Sequence, residues 1–488
     1  MPGRMDIQFN WGRSQNGDPE AQGDPFSILA LAPWRGSASP PGRLEDRPAI
    51  RIDTESFDDV FARIAPRVVI EGYGEGGAGH TLEPRSLDDL HPDALLRTVP
   101  ALQSLVSLLT VARDPATFRE TSPRPRDAGK AEGAEDDTST LSRLLGRAPT
   151  EPSRSPVGAA ESAVDRLVRD AVAPYIVAGP DPRQAEVVSA LEAAVGAALR
   201  VVLRQPALQV LEGRWRSLRR LVFGVETEGP VRIHVLDVAP DEWAADLAAS
   251  GDGAPASIRR AIERAAAKGG LTRLSLIVLD ATFDARAEDT AALRGWGALA
   301  SALGAPLLAH AGPALAGAAS AADLDDPARW KAHGGEFQAG WSMLRRGPLA
   351  ACLGLALPRV LARAPYGALT DPIETLPFEE TGDDPSDLGF VWSGAAWNCA
   401  ELIAAAAAVE HEAPLSVAGS VEDLPFAIYV AGGGRKIRGF AESGLPDRAA
   451  EALLDAGLIP VVADASRNAL RVPRLQSIAD PLRGLGER

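Results

Sequence analysis

Apolar and polar positions in the first part of this chain change period several times. Ile7-Gln8-Phe9-Asn10-Trp11 alternates like a half-buried strand. Pro25 to Leu31 is apolar except for Ser27, the pattern of a buried strand, and Pro33-Trp34-Arg35-Gly36 ends it. Ala49 to Ile52 predicts a third strand. Phe57, Val60, Phe61 and Ile64 fall on one helical face, with Thr54 or Ser56 placed to cap it. Arg67 to Ile70 reads as another strand. Beyond Leu87-Asp88-Asp89-Leu90-His91-Pro92, the residues Leu95, Leu96, Val99, Leu102, Leu105, Val106 and Leu109 form one wide apolar helical stripe.

The pattern then stops. Residues 119–157 are dominated by Pro, Gly, Ser, Thr and charges, so burial cannot offset the entropy of ordering them. They predict a flexible linker between an N-terminal domain at 1–118 and a larger one at 158–488, each packed independently. Within the linker, Leu141, Leu144 and Leu145 make a short amphipathic stripe ended by Gly146, a candidate docking peptide.

In the larger block, Val164 to Val172 is helical, and Pro182 opens a helix through Val202 that buries Val187, Val188, Leu191, Val195, Leu199 and Val202. Leu208, Leu211, Trp215, Leu218 and Val222 share the inner face of the next helix. Strands at Val231–Val238, Leu274–Leu279, Pro306–Ala309 and Ala350–Leu355 alternate with helices at Asp241–Ala249, Ser257–Lys268, Asp289–Leu303 and Phe337–Arg345. This βα alternation predicts an α/β fold with a mostly parallel sheet covered by helices.

Composition narrows the partners. A formal net charge of −16 opposes broad nucleic-acid binding. The two cysteines, Cys352 and Cys399, lie far apart in apolar or helical runs and read as reduced core residues, which points to the cytoplasm. The six histidines show no metal-binding spacing. The N-terminus lacks a signal-peptide core, and the most apolar helical run, Leu402 to Val409, is far short of the ~20 residues of a membrane span.

Candidate chemistry is sparse. Gly72, Gly74 and Gly77 spell GxGxxG after a strand, but Ala-Gly-His-Thr-Leu-Glu-Pro follows instead of the helix a dinucleotide site needs. A hairpin loop fits better. Asp280 and His310 follow strands, where α/β enzymes place functional groups, yet no nucleophile elbow or P-loop accompanies them. A structural role suits both.

Several runs resemble the contractile sheath of bacterial type VI secretion systems. Pro25–Gly36, Arg51-Ile52-Asp53, Phe57-Asp58-Asp59-Val60 and Leu87–Asp93 resemble its small subunit. Leu211–Leu218, Ala309-His310-Ala311, Leu357–Gly367, Phe390–Trp397 and Asp423-Leu424-Pro425 resemble its large subunit, most specifically in the LPRVLARAPYG run. The resemblance covers nearly the whole chain except the linker and implies both subunits fused in one polypeptide.

It implies two sheath-like α/β units with phage-tail-sheath architecture, self-association into hexameric rings and a helical sheath, and no catalysis or cofactor. The implied partners are an inner tube protein, a baseplate and an AAA+ unfoldase, the last at a position like that of Leu141, Leu144 and Leu145. Terminal strands exchange between neighbours in the family; here Asp6–Trp11, Leu458–Val462 and Leu470–Val472 are the candidates. Trp215, Pro358, Arg359, Arg363, Pro365, Tyr366 and Trp392 carry the motifs and read as structural, with Arg359 and Arg363 pairing with carboxylates and Tyr366 packing. The alternatives are a sheath-related adaptor that does not polymerise and a Rossmann-like nucleotide-binding enzyme.

Overall fold

The computed structural model describes residues 24–36, 42–74, 78–121, 182–225, 229–251, 253–268, 271, 273–381, 389–410, 415, 418–431, 434–464 and 468–487. The N-terminal region contributes β1 (Phe26–Ala32), β2 (Ile50–Ile52), α1 (Phe57–Ile64), β3 (Val68–Ile70), β4 (His80–Leu82), α2 (Pro92–Thr98), α3 (Pro100–Arg113) and α4 (Pro115–Thr121). From residue 182 follow α5 (Pro182–Leu203), α6 (Pro206–Gly224), β5 (Val231–Asp237), α7 (Pro240–Ser250), α8 (Ala256–Ala267), β6 (Leu274–Phe283), α9 (Ala287–Leu303), β7 (Leu307–Ala311), α10 (Gly335–Arg346) and β8 (Leu353–Leu357). The chain continues with β9 (Val360–Leu361), β10 (Trp392–Ser393), α11 (Ala396–Glu410), β11 (Gly419–Val421), β12 (Ala427–Ala431), β13 (Gly434–Arg438), α12 (Asp447–Asp455), β14 (Ile459–Pro460), β15 (Val462–Asp464) and β16 (Ala469–Val472).

Seven strands form one sheet in the order β14-β8-β7-β6-β1-β5-β2, parallel except for the antiparallel edge strand β2. β1, from the N-terminal region, lies inside it. Ile28 pairs with Ile233 of β5 on one side and Leu276 of β6 on the other. All seven β1 residues are buried, which is why the run is apolar except at Ser27 rather than alternating.

The expectation of two independently packed units is therefore corrected. Ile28 and Ala30 share one core with Ile233, Leu276 and Val278, beneath α1–α3, α5, α6 and α11. Leu29 and Leu31 share the other core with Leu236, Ile277 and Leu279, beneath α7–α10 and α12. A lone N-terminal domain would leave both faces of β1 and its two ladders unsatisfied.

Other differences are local. The stripe Leu95–Leu109 is two helices meeting at a 95° bend, not one. Val99 is extended (φ −83°, ψ 117°), as a residue before proline prefers. β6 runs to Phe283 with a register shift between Val278 and Thr282, so Asp280 lies within the strand, and His310 lies within β7. Val187 is exposed near the start of α5. Gly72 and Gly74 lie in the turn of the antiparallel β3–β4 hairpin, matching the loop reading of the glycine motif. α4 extends to Thr121, inside the expected linker. Asp6–Trp11, Leu141, Leu144, Leu145 and Val164–Val172 lie outside the described residues.

Candidate functional site

The motif residues converge on a buried ionic network between α6 and the segment after β8. The inner face of α6 carries Glu212, which is 1% exposed, and the Arg363 and Arg216 Nε atoms each donate to its Oε1 at 2.7 Å. Arg363 also makes two bonds to fully buried Glu380, at 2.6 and 2.8 Å. Glu380 accepts a third bond from the Tyr366 amide at 2.8 Å, and Arg216 donates to the Tyr366 hydroxyl at 3.0 Å. Burial works against the charge on Glu212, but Arg363 and Arg216 outweigh it and hold the carboxyl below its ordinary range. Burial pushes the Tyr366 hydroxyl well up, so it stays neutral.

The expected pairings of Arg359 and Arg363 are present: Arg359 Nε reaches Glu442 at 2.9 Å, and its guanidinium lies 5.6 Å from the Trp392 ring centre. The Pro365 carbonyl accepts a bond from Thr370 Oγ1. The Leu357–Pro358 peptide that opens the motif is cis. Trp215 ties α6 to the N-terminal region. Its ring nitrogen donates to the Trp34 carbonyl at 3.1 Å, and its rings lie 5.1 Å from Trp34 and 4.4 Å from Phe61. The motif around His91 meets the one around Tyr366, with the two rings edge-on at 5.0 Å. Asp93 accepts from the Glu374 and Thr375 amides and the Thr375 hydroxyl.

A second cluster occupies the place where an α/β enzyme of this strand order opens its ligand crevice, between the carboxyl halves of β1 and β6. Arg214 spans it, donating to Asp280 Oδ2 at 2.7 Å and to the Pro33 carbonyl at 2.8 Å. Asp280 Oδ1 accepts from the Trp397 ring at 2.9 Å and lies 3.1 Å from His310 Nε2. His310 Nδ1 accepts from the Ala396 amide, which fixes the Nε2–H tautomer and caps the start of α11. Burial opposes the charge on Asp280, but Arg214 and then His310 hold its carboxyl far below the usual range. The chain's own side chains fill this crevice and satisfy one another. That is an anchoring arrangement, with no nucleophile poised beside a free base.

Burial pushes the Cys399 thiol up to about 12, leaving it unreactive at neutral pH. Among the described residues, no group of three or more His, Cys, Asp or Glu side chains could hold a metal ion, and no single helix is long and apolar enough to cross a membrane. Glu212 lay inside a motif legible in sequence. Glu380 and Asp93 did not stand out as partners, because nothing local marks a carboxylate that will meet an arginine or an amide from a distant segment.

The C-terminal strands Leu458–Val462 and Leu470–Val472 are paired within the chain. β14 joins the main sheet, and β16 lies between β11 and β15. β12 and β13 differ. They form a two-stranded antiparallel hairpin of five residue pairs whose outer edges pair with no other described strand. Arg220 grips its root, donating to the Glu422 and Asp423 carbonyls at 2.6 and 2.8 Å and pairing with Glu401.

Comparison with known proteins agrees with these features. The VipB family model, described as EvpB/VC_A0108, tail sheath N-terminal domain, matches residues 185–478. The model described as Type VI secretion system, VipA, VC_A0107 or Hcp2, matches residues 2–114. The type VI secretion system sheath protein TssC1 of Pseudomonas aeruginosa is 30% identical over 216 residues, which are 43% of this chain and 43% of that protein. The chain thus spans less than half the length of this curated relative. Both motif sets, the sealed crevice and the two successive matches converge on one assignment: the chain belongs to the VipB tail-sheath family of type VI secretion, a family of structural proteins rather than enzymes, and carries a VipA region ahead of its VipB region in one polypeptide.

Proposed function

We propose that this chain is the repeating protomer of a cytoplasmic contractile sheath, polymerising in hexameric rings around an inner tube and shortening to drive that tube toward a target cell. The β12–β13 hairpin carries the reading. A two-stranded sheet alone is marginal in water, and its free edges offer backbone donors and acceptors to a third strand. The N-terminal segment Asp6–Trp11 of a neighbouring copy is the strand proposed to add there, because its alternation suits one buried face. Backbone pairing of this kind keeps neighbours joined while rigid bodies move. The sheath-like architecture, a flexible tether within 122–157 and contacts with a baseplate belong to the same proposal. So does unfoldase docking at Leu141, Leu144 and Leu145, which Asp substitutions at all three positions should abolish while sparing assembly.

Negative-stain imaging of the purified chain, alone and with the tube protein, tests the proposal. Long helical tubes are expected with the tube protein present, and deleting residues 1–12 should abolish them. Small oligomers under both conditions would instead identify a non-polymerising adaptor.

A further inference from the structure

A cavity of about 280 Å³ lies at the carboxyl ends of β1 and β5, away from both buried networks and from the hairpin. Four arginines, Arg35, Arg43, Arg47 and Arg63, line it against two carboxylates, Asp46 and Asp237, and aliphatic side chains complete the wall. Three of these arginines already pair with carboxylates, Arg35 with Asp237, Arg43 with Glu45 and Arg47 with Glu242, which leaves Arg63 to meet an anion. Asp46 is also drawn away from the cavity's arginines by its pair with Arg264.

The individual groups are built in rather than loosely draped. Arg47 is 7% exposed and is fixed by Glu242 and by the Asp237 carbonyl at 2.9 Å, yet its Nε is buried with no hydrogen-bond partner. Asp237 Oδ1 accepts from the Arg35 amide at 3.3 Å. Asp237 Oδ2 lies 3.5 Å from Arg35 Nε but is buried and accepts no hydrogen bond. Arg63, in the last turn of α1, is exposed and makes no ion pair among the described residues. Buried polar atoms of this kind normally find partners, and this unsatisfied donor and acceptor belong to two side chains that line the same cavity.

We propose that this cavity binds a small phosphate ester bearing a hydroxyl close to its phosphate. Guanidinium groups match phosphate oxygens in charge and in forked geometry. A carboxylate among them disfavours a bare anion, but it accepts a hydrogen bond from a neighbouring hydroxyl and so selects the ester. The volume suits a phosphate with a short hydroxylated stem and excludes a nucleic-acid strand. This site is independent of the assembly proposal and stands or falls apart from it.

Isothermal titration of the full-length chain tests it with glycerol 3-phosphate, inorganic phosphate, glycerol and glutamate at matched ionic strength. Glycerol 3-phosphate should bind about tenfold more tightly than inorganic phosphate, the value of one hydrogen bond to a charged acceptor. Glycerol and glutamate should give no binding. Arg63→Ala should weaken both phosphates by about fivefold or more, and Asp237→Ala should bring the ester to the level of inorganic phosphate. Arg63 is exposed, so its variant reports on binding even if Asp237→Ala fails to fold. Absent ester binding, an unchanged Arg63→Ala isotherm, or equal binding of glutamate would overturn the assignment.

Discussion

Replacing Arg363 with Met tests whether the motif network holds the body together. The Arg363 side chain is 6% exposed and makes four charge-assisted bonds, two to Glu212 and two to Glu380. Met fills much of the volume, so the loss is electrostatic rather than a cavity. Glu212 keeps Arg216, but among the described residues fully buried Glu380 keeps only the Tyr366 amide. Removing one partner of a buried ion pair costs about 3–5 kcal/mol, because the other charge stays desolvated. With an m value of about 3 kcal/mol per M for a body of this size, the urea midpoint should fall by about 1–2 M.

The assay is equilibrium urea unfolding of the unassembled chain, followed by tryptophan fluorescence. Trp34, Trp215 and Trp397 lie beside the two networks, so the signal reports the relevant core. The double variant Arg363→Met with Glu380→Gln should regain about 1–2 kcal/mol, since the stranded charge is gone. A midpoint within 0.3 M of wild type for the single variant, estimated with the same m value, would refute the reasoning. It would mean that water or a rearranged partner reaches Glu380.

Two further outcomes are expected. A protease site placed within residues 122–157 and cleaved in the folded protein should leave fragments that co-elute in gel filtration and separate only in denaturant, because β1 is clasped between β5 and β6. Asp280 has a folded pKa below its unfolded value near 3.8, so its stabilising contribution is full above that value and is lost as pH falls toward the folded one. Glu212 acts in the same direction, whereas burial raises Asp237 and Glu401, whose protonation in the folded state opposes the loss. Asp280→Asn should therefore be less stable at pH 7, and its urea midpoint should fall less steeply than wild type below about pH 4.

How far the sequence reaches can be judged element by element. The run Phe26–Ala32 announced a buried strand, because Ser27 is its one polar position and nothing alternates after it, and it is such a strand. Its neighbours were not legible: β5 and β6 lie some 200 residues away in sequence, and an apolar run does not name its partners. Pro100 was a visible signal for the break between α2 and α3, but the apolar periodicity across it concealed the bend. The arginines of the motif run predicted carboxylate partners, while their identities required the fold. The crevice between β1 and β6 illustrates the same limit. Asp280 and His310 were recognised singly, but only the packing of α6 and α11 shows Arg214 and Trp397 closing over them.

That closure bears on how such a body can move. The N-terminal region supplies an inner strand of the sheet, Trp34 and Phe61 pack on Trp215, and Asp93 holds the loop at Glu374 and Thr375. Sliding the VipA region over the VipB region would break parallel ladders and expose two cores at once, a cost far above a stability margin of about 5–15 kcal/mol. Among the described residues, the β12–β13 hairpin stands apart from both cores, with Arg220 bonded to the segment that precedes it. In the proposed sheath, a change that shortens the assembly would therefore run through contacts between copies, with each body carried as a unit. Fusion then adds nothing to the interior, which is already joined; in the proposed sheath its effect would fall on assembly, where it guarantees that every VipB region meets a VipA region.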